Sequence, residues 1–183
     1  MSMKNNIISF SAAIAIAAAA TAISSCRTAN SADRQLEAYA DSVANNVARL
    51  QINHRKFVVS GDQLTINQSP IINVSDNTNF VLVNGDNGVV QVSPRFSGGP
   101  NSVGGFTISG EITKYNVKES KNGDVTVTYR ISGSAGSSDV RVLLQNGRNK
   151  AEATVTGTFT GGRATIYGSV KALDTQYFEG RSF

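Results

Sequence analysis

Beyond Leu50 the apolar and polar residues of this chain alternate with a period of two, the signature of half-buried strands. Val125, Val127, Tyr129 and Ile131 share one parity, and Thr126, Thr128 and Arg130 the other. Ala151, Ala153, Val155, Gly157 and Phe159 alternate with Lys150, Glu152, Thr154, Thr156 and Thr158. Ala164, Ile166, Gly168, Val170 and Ala172 alternate with Thr165, Tyr167, Ser169 and Lys171. Each is the pattern of an antiparallel strand with one face on a core and one in water. Threonine suits the wet face because a β-branched polar side chain fits the pleat. Four Asn-Gly pairs, at 84–85, 87–88, 122–123 and 146–147, fall between apolar runs. Both residues tolerate the positive φ of a two-residue hairpin. With further turns at Gly61-Asp62, Ser75 to Asn79 and Gly161-Gly162, the strands are predicted over 55–60, 64–74, 79–84, 88–94, 106–119, 124–132, 139–146, 149–160 and 163–173. Within 106–119 the parity changes between Ile112 and Tyr115, which predicts a bulge near Thr113-Lys114.

Before the strands the period is helical. Leu36, Tyr39, Ala40, Val43, Val47 and Leu50 recur at spacings of three and four, with Ser31 or Asp33 as N-cap. This predicts an amphipathic helix over 33–52 whose apolar stripe covers one face or open end of the main domain. The expected architecture is mainly β: an antiparallel meander over 53–173 forming a small barrel or sandwich, preceded by that helix and followed by a tail over 174–183. A sheet closed around about eight strands has an interior that is filled, or that holds one small ligand. The small inward residues Ala151, Ala153, Gly157, Ala164 and Gly168 leave space there or admit the helix closely.

The first 25 residues read as an address. Lys4 precedes an uncharged, Ala- and Ile-rich run from Ile7 to Ile23, the layout of a secretory signal. Ile23-Ser24-Ser25-Cys26 resembles the end of a bacterial lipoprotein signal: an aliphatic residue, two small ones, then the cysteine that is acylated. The resemblance implies cleavage between Ser25 and Cys26, acyl chains on Cys26, and a short tether over 26–32. Two or more such chains hold a protein at a membrane stably, where one does not. The segment Arg27-Thr28-Ala29-Asn30-Ser31 carries no acidic cluster. The expectation is therefore the outer membrane, with the domain facing the periplasm and the membrane itself as partner.

Composition removes several chemistries. One cysteine and one histidine in 183 residues exclude a disulfide framework and a Cys/His zinc cluster, and with them most nucleophile–histidine pairs. The net charge is +4, and no basic run exceeds Arg55-Lys56, so a nucleic-acid footprint is absent. Gly99 and Gly104 have phosphate-loop spacing, but Gly105 stands where the lysine belongs and no helix pattern follows. The stretch from Pro94 to Phe106 is instead a loop, and Pro94, Arg95, Phe96 and Phe106 are its candidate binding residues. His54 lies at the junction of helix and first strand without a predicted partner. Asp62, Asp86 and Asp124 sit at turns, where turn chemistry accounts for them. The segment Asn84 to Gly88 lacks the spaced acidic ligands of a calcium loop. No catalytic residue, metal or cofactor is expected. The reading is a non-catalytic binding or structural module, with a small apolar ligand, a glycan or an envelope protein as partner. Its rivals are a lipocalin-like carrier, a carboxylate-based hydrolase of sugar or peptide, and a membrane-spanning barrel. The last is opposed by the absence of tryptophan and of aromatic girdles.

The motifs together resemble a Bacteroidetes lipoprotein family, domain of unknown function 4251. A lipobox and a helix lead to Phe57-Val58-Val59. The strand pair Phe80-Val81-Leu82-Val83 and Val89-Val90-Gln91-Val92 then enters Ser93-Pro94-Arg95-Phe96-Ser97-Gly98. Pro94 and Phe96 match the family's Leu-Pro-Tyr-Phe-Gly segment; Arg95 replaces its first aromatic, and Ser97 displaces Gly98 by one position. Tyr115-Asn116-Val117, a Val-Thr-Val strand with an Asn-Gly turn, and Ile166-Tyr167-Gly168 fit the remainder. The resemblance spans most of 33–171 and implies an all-β envelope domain with no assigned activity.

Overall fold

Strand parity builds a closed wall. The inward positions Val125, Val127, Tyr129 and Ile131 are each at most 5% exposed, while Thr128 and Arg130 between them face solvent. The computed structural model describes residues 31–93, 105–157 and 162–173. The strands are β1 (Lys56–Ile66), β2 (Ile72–Asn73), β3 (Phe80–Asn84), β4 (Asn87–Val92), β5 (Phe106–Glu119), β6 (Val125–Gly133), β7 (Gly136–Leu144), β8 (Ala151–Gly157) and β9 (Gly162–Ala172). From β3 to β9 each strand pairs antiparallel with the next, and β1 pairs with both β3 and β9. That last pairing closes eight strands into a barrel and excludes the sandwich. The short β2 lies outside the circuit, paired with Gln63 and Leu64 of β1.

The chain divides into two compact units, Met1–Ala40 and Asp41–Phe183. Of the first, residues 31–40 are described; they are helical and exposed. The helix, α1, runs over 31–53, and its residues from Asp41 onward belong to the second unit together with the barrel. No helix among the described residues is long and apolar enough to cross a membrane.

Several turns form where they were predicted. Gly85, Gly123 and Gly147 have φ of 63°, 86° and 69°, so three of the four Asn-Gly pairs make their turns with glycine in the left-handed region. The register of β5 against β6 shifts between Thr113 and Asn116, with Lys114 at φ 54°, the bulge that the parity change announced. Other expectations need correction. Gly61-Asp62 is not a turn: β1 runs through it and absorbs it as a bulge against β9. Asn87-Gly88 is strand, paired with Glu111 and Gly110 of β5. The strand placed over 64–74 therefore does not exist as a unit. Strand β7 starts at Gly136 rather than 139, joined to β6 by a tight Ser134-Ala135 turn. Gly161 lies outside the described residues.

The correction for α1 is the largest. Its predicted apolar stripe faces away from the barrel: Val43, Val47 and Leu50 are 44%, 46% and 56% exposed. The face that docks carries Asn45, Ala48 and Ile52, all at most 3% exposed. Periodicity located the helix correctly but assigned its buried side wrongly.

Candidate functional site

At one end of the barrel α1 forms a polar seal. Ala48 and Ile52 join the core, and around them the Asn45 side-chain amide donates to the carbonyls of Gln145 and Arg148, both at 2.8 Å. Arg49 Nε donates to Asn45 Oδ1 at 3.0 Å, and Nη1 reaches Glu119 Oε1 at 3.1 Å. Its second guanidinium nitrogen bonds the Gly123 carbonyl. One helical turn thus ties the β7–β8 connection to the β5–β6 turn. Beside it, Tyr115 donates its hydroxyl at 2.8 Å to the Ile52 carbonyl, which also accepts the Arg55 amide at 3.0 Å where the helix ends. Tyr115 is placed there by the Thr113–Asn116 bulge. Arg55, at φ 55°, lays its guanidinium over the Tyr115 ring at 4.5 Å and pairs with Asp86 at 2.8 Å.

The described interior is packed. The inward residues of all eight strands, with Ala48 and Ile52, form one apolar cluster, each member at most 5% exposed. Ile66 and Phe106 pack against it at the end opposite α1. The inward glycines do not leave room. A Cβ on Gly157 would strike Ser138 Oγ, and one on Gly168 would strike the Ser60 carbonyl. Tyr129, stacked on Tyr115 with centroids 6.0 Å apart, is 3% exposed, and its hydroxyl has no partner among the described residues. Burial drives the Tyr129 hydroxyl far above its usual pKa, and raises that of Tyr115 to about 12 against the opposing pull of Arg55.

The outer wall is polar and charged: Arg130, Asp139 and Arg141 project from it at mid-strand, and Arg163 near the start of β9. Arg130 Nε and Nη2 donate to the two Asp139 carboxylate oxygens at 2.8 and 2.7 Å, and those bonds hold the Asp139 carboxyl below its usual range. An apolar interior behind a charged wall is the inverse of a membrane-spanning barrel. A second, smaller apolar cluster of Val58, Phe80, Leu82 and Val89 lies on the outside of β1, β3 and β4, with Leu173 against it.

A groove of about 410 Å³ crosses the wall from β7 to β1. The pairings Leu143–Glu152, Glu152–Tyr167 and Tyr167–Gln63 set these four outward side chains in one row. The bulge in β1 inserts Asp62 beside Gln63 on the groove's rim, and Lys150 flanks it from β8's approach. The row offers an aromatic face with amide, carboxylate and ammonium groups around it, the inventory for hydrogen-bonding a polar ligand.

Against known proteins, residues 40–170 match the family model described as Domain of unknown function (DUF4251). The chain belongs to the DUF4251 family. A crystal structure of a DUF4251 family protein from Bacteroides eggerthii is similar, with 32% identity and a TM-score of 0.69, over 80% of this chain and 99% of that one. No curated protein matches this chain significantly.

In this DUF4251 domain the predicted loop residues Pro94, Arg95 and Phe96 lie outside the described residues, as do Ser25 and Cys26. Phe106 opens β5 opposite Val92, half-buried against the core at the barrel end away from α1. His54 is exposed in the turn after α1. Among the described residues no group of His, Cys, Asp and Glu is placed to hold a metal. Glu119, Asp86, Asp139 and Asp76 are engaged in ion pairs. Asp62 and Glu152 share the groove around Tyr167. Sequence reasoning missed Asn45, Arg49 and the Tyr167 row. Nothing in sequence separates Asn45 from Asn46, and the row exists through strand register between four different segments.

Proposed function

We propose that this DUF4251 protein is an envelope protein held at the outer membrane by acyl chains on Cys26, its barrel facing the periplasm, and that it acts by binding at its surface without catalysis. The observation that carries the reading is the barrel itself, packed with apolar side chains and sealed by α1, so that recognition falls to the outer wall. The groove around Tyr167 is the surface best equipped for it. A lipocalin-like carrier needs interior volume, and the described interior offers closely packed side chains instead. A hydrolase of the two-carboxylate kind has Asp62 and Glu152 as its candidates. That chemistry needs one carboxyl kept protonated by burial, whereas Asp62 is exposed and the groove opens to solvent.

Anchoring is tested by growing cells with an alkyne-bearing fatty acid and fractionating them. The chain should acquire the label and sediment with membranes, and Cys26→Ala should do neither. Label independent of Cys26, or an unlabelled chain found in the soluble fraction, contradicts the reading.

A further inference from the structure

The side of α1 that meets the barrel is not its apolar side. At 3.6 residues per turn, Val43, Val47 and Leu50 lie opposite Asn45 and Ile52. The same spacing runs back through Tyr39 and Leu36, which are 71% and 67% exposed. Five of the seven large hydrophobics exposed among the described residues thus lie on α1, three of them in the unit that holds the barrel. Scattered exposed leucines need no explanation, but a contiguous stripe on an otherwise polar surface marks a contact.

We propose that this face of α1 lies in the lipid–water interface, with the bilayer as its occupant; the proposal rests on the anchoring reading above. Cys26 is five residues from residue 31, and five extended residues reach at most about 18 Å, so the acyl anchor holds the helix at the membrane surface. Arg34, Asp41 and Arg49 fall on the opposite side; the stripe is bordered along one flank by the uncharged Gln35, Ser42, Asn46 and Asn53, and along the other by Asp33 and Glu37 near the helix start. The stripe is too small to bind lipid strongly alone, but a tethered face docks at high effective concentration. A paired helix is the weaker occupant. The positions 36, 40, 43, 47 and 50 fill about two heptads, short of the three or four that a coiled coil sustains, and one heptad before Ala40 the seam meets the charge of Asp33. Docked this way, the barrel stands with its α1 end towards the membrane, and the β6–β7 turn points away from it.

The test uses the full, lipidated chain in liposomes of phosphatidylethanolamine and phosphatidylglycerol, where acylated Cys26 is blocked to thiol reagents. Val47→Cys and Thr128→Cys variants each carry an environment-sensitive NBD label, read with and without headgroup-level spin-labelled lipid. At position 47 the emission should shift to the blue and lose most of its intensity to the quencher; at position 128, on the outer wall, neither should happen. Chain that stays on the liposomes while position 47 remains unquenched overturns this proposal alone. Protection of position 47 through a cross-linked dimer assigns the face to a second copy and also overturns it. Chain that leaves the liposomes overturns the anchoring reading and this proposal with it.

Discussion

Tyr115 shows how much one residue joins in this fold. Its hydroxyl donates to the Ile52 carbonyl beside the Arg55 amide, its ring receives Arg55 on one side and stacks with Tyr129, and its position is set by the β5 bulge. Burial raises its pKa from 10.0 to about 12. The folded state therefore keeps a proton that the unfolded chain releases near pH 10. The stabilisation linked to Tyr115 is complete below pH 10 and is lost as pH rises from 10 towards 12. Denaturant titrations across that window should show falling stability, and Tyr115→Phe should lessen the slope, leaving the part due to buried Tyr129, while costing the bond to Ile52. None of this was visible from residue types: the parity change revealed the bulge, but not that the displaced side chain would reach back to the helix.

At the scale of elements, period and turn chemistry were read well where they acted alone. The bulge at Thr113–Asn116 was legible because a bulge flips parity. The bulge at Gly61–Gln63 was misread because a glycine followed by an aspartate is equally the mark of a turn. Asn87-Gly88 was misread for a related reason: the turn at Asn84-Gly85 already closes the hairpin, so the next Asn-Gly pair continues the strand. Helix α1 failed differently. Hydrophobic periodicity assumes that the apolar side is the buried one, whereas this helix docks through Asn45, Ala48 and Ile52 and their hydrogen bonds. The two faces should respond oppositely to substitution. Asn45→Ala leaves two carbonyls and Arg49 Nε without their partner and should cost about 1–3 kcal/mol, a fall of several degrees in Tm. Val47→Asn, on the exposed side, should change stability by less than about 0.5 kcal/mol. A larger loss for Val47→Asn than for Asn45→Ala in calorimetry would contradict this division of the helix.

For the molecule as a whole, class and strand order followed from the sequence, because a meander needs each strand to pair with the next and the turn residues marked most of the joins. Closure did not follow, since the β1–β9 pairing joins segments about a hundred residues apart with no signal between them. The outer groove was hidden for the same reason. Its row of Leu143, Glu152, Tyr167 and Gln63 is a product of register across four strands. In the proposed function the barrel is a filled scaffold that presents binding surfaces outside itself. Native mass spectrometry of the chain purified gently from its host tests this directly. The expected mass is that of the polypeptide with any covalently attached acyl chains and nothing more, unchanged on denaturation. A discrete additional mass of an apolar small molecule, retained in the native spectrum and lost on unfolding, would contradict it and make the interior a carrier's cavity.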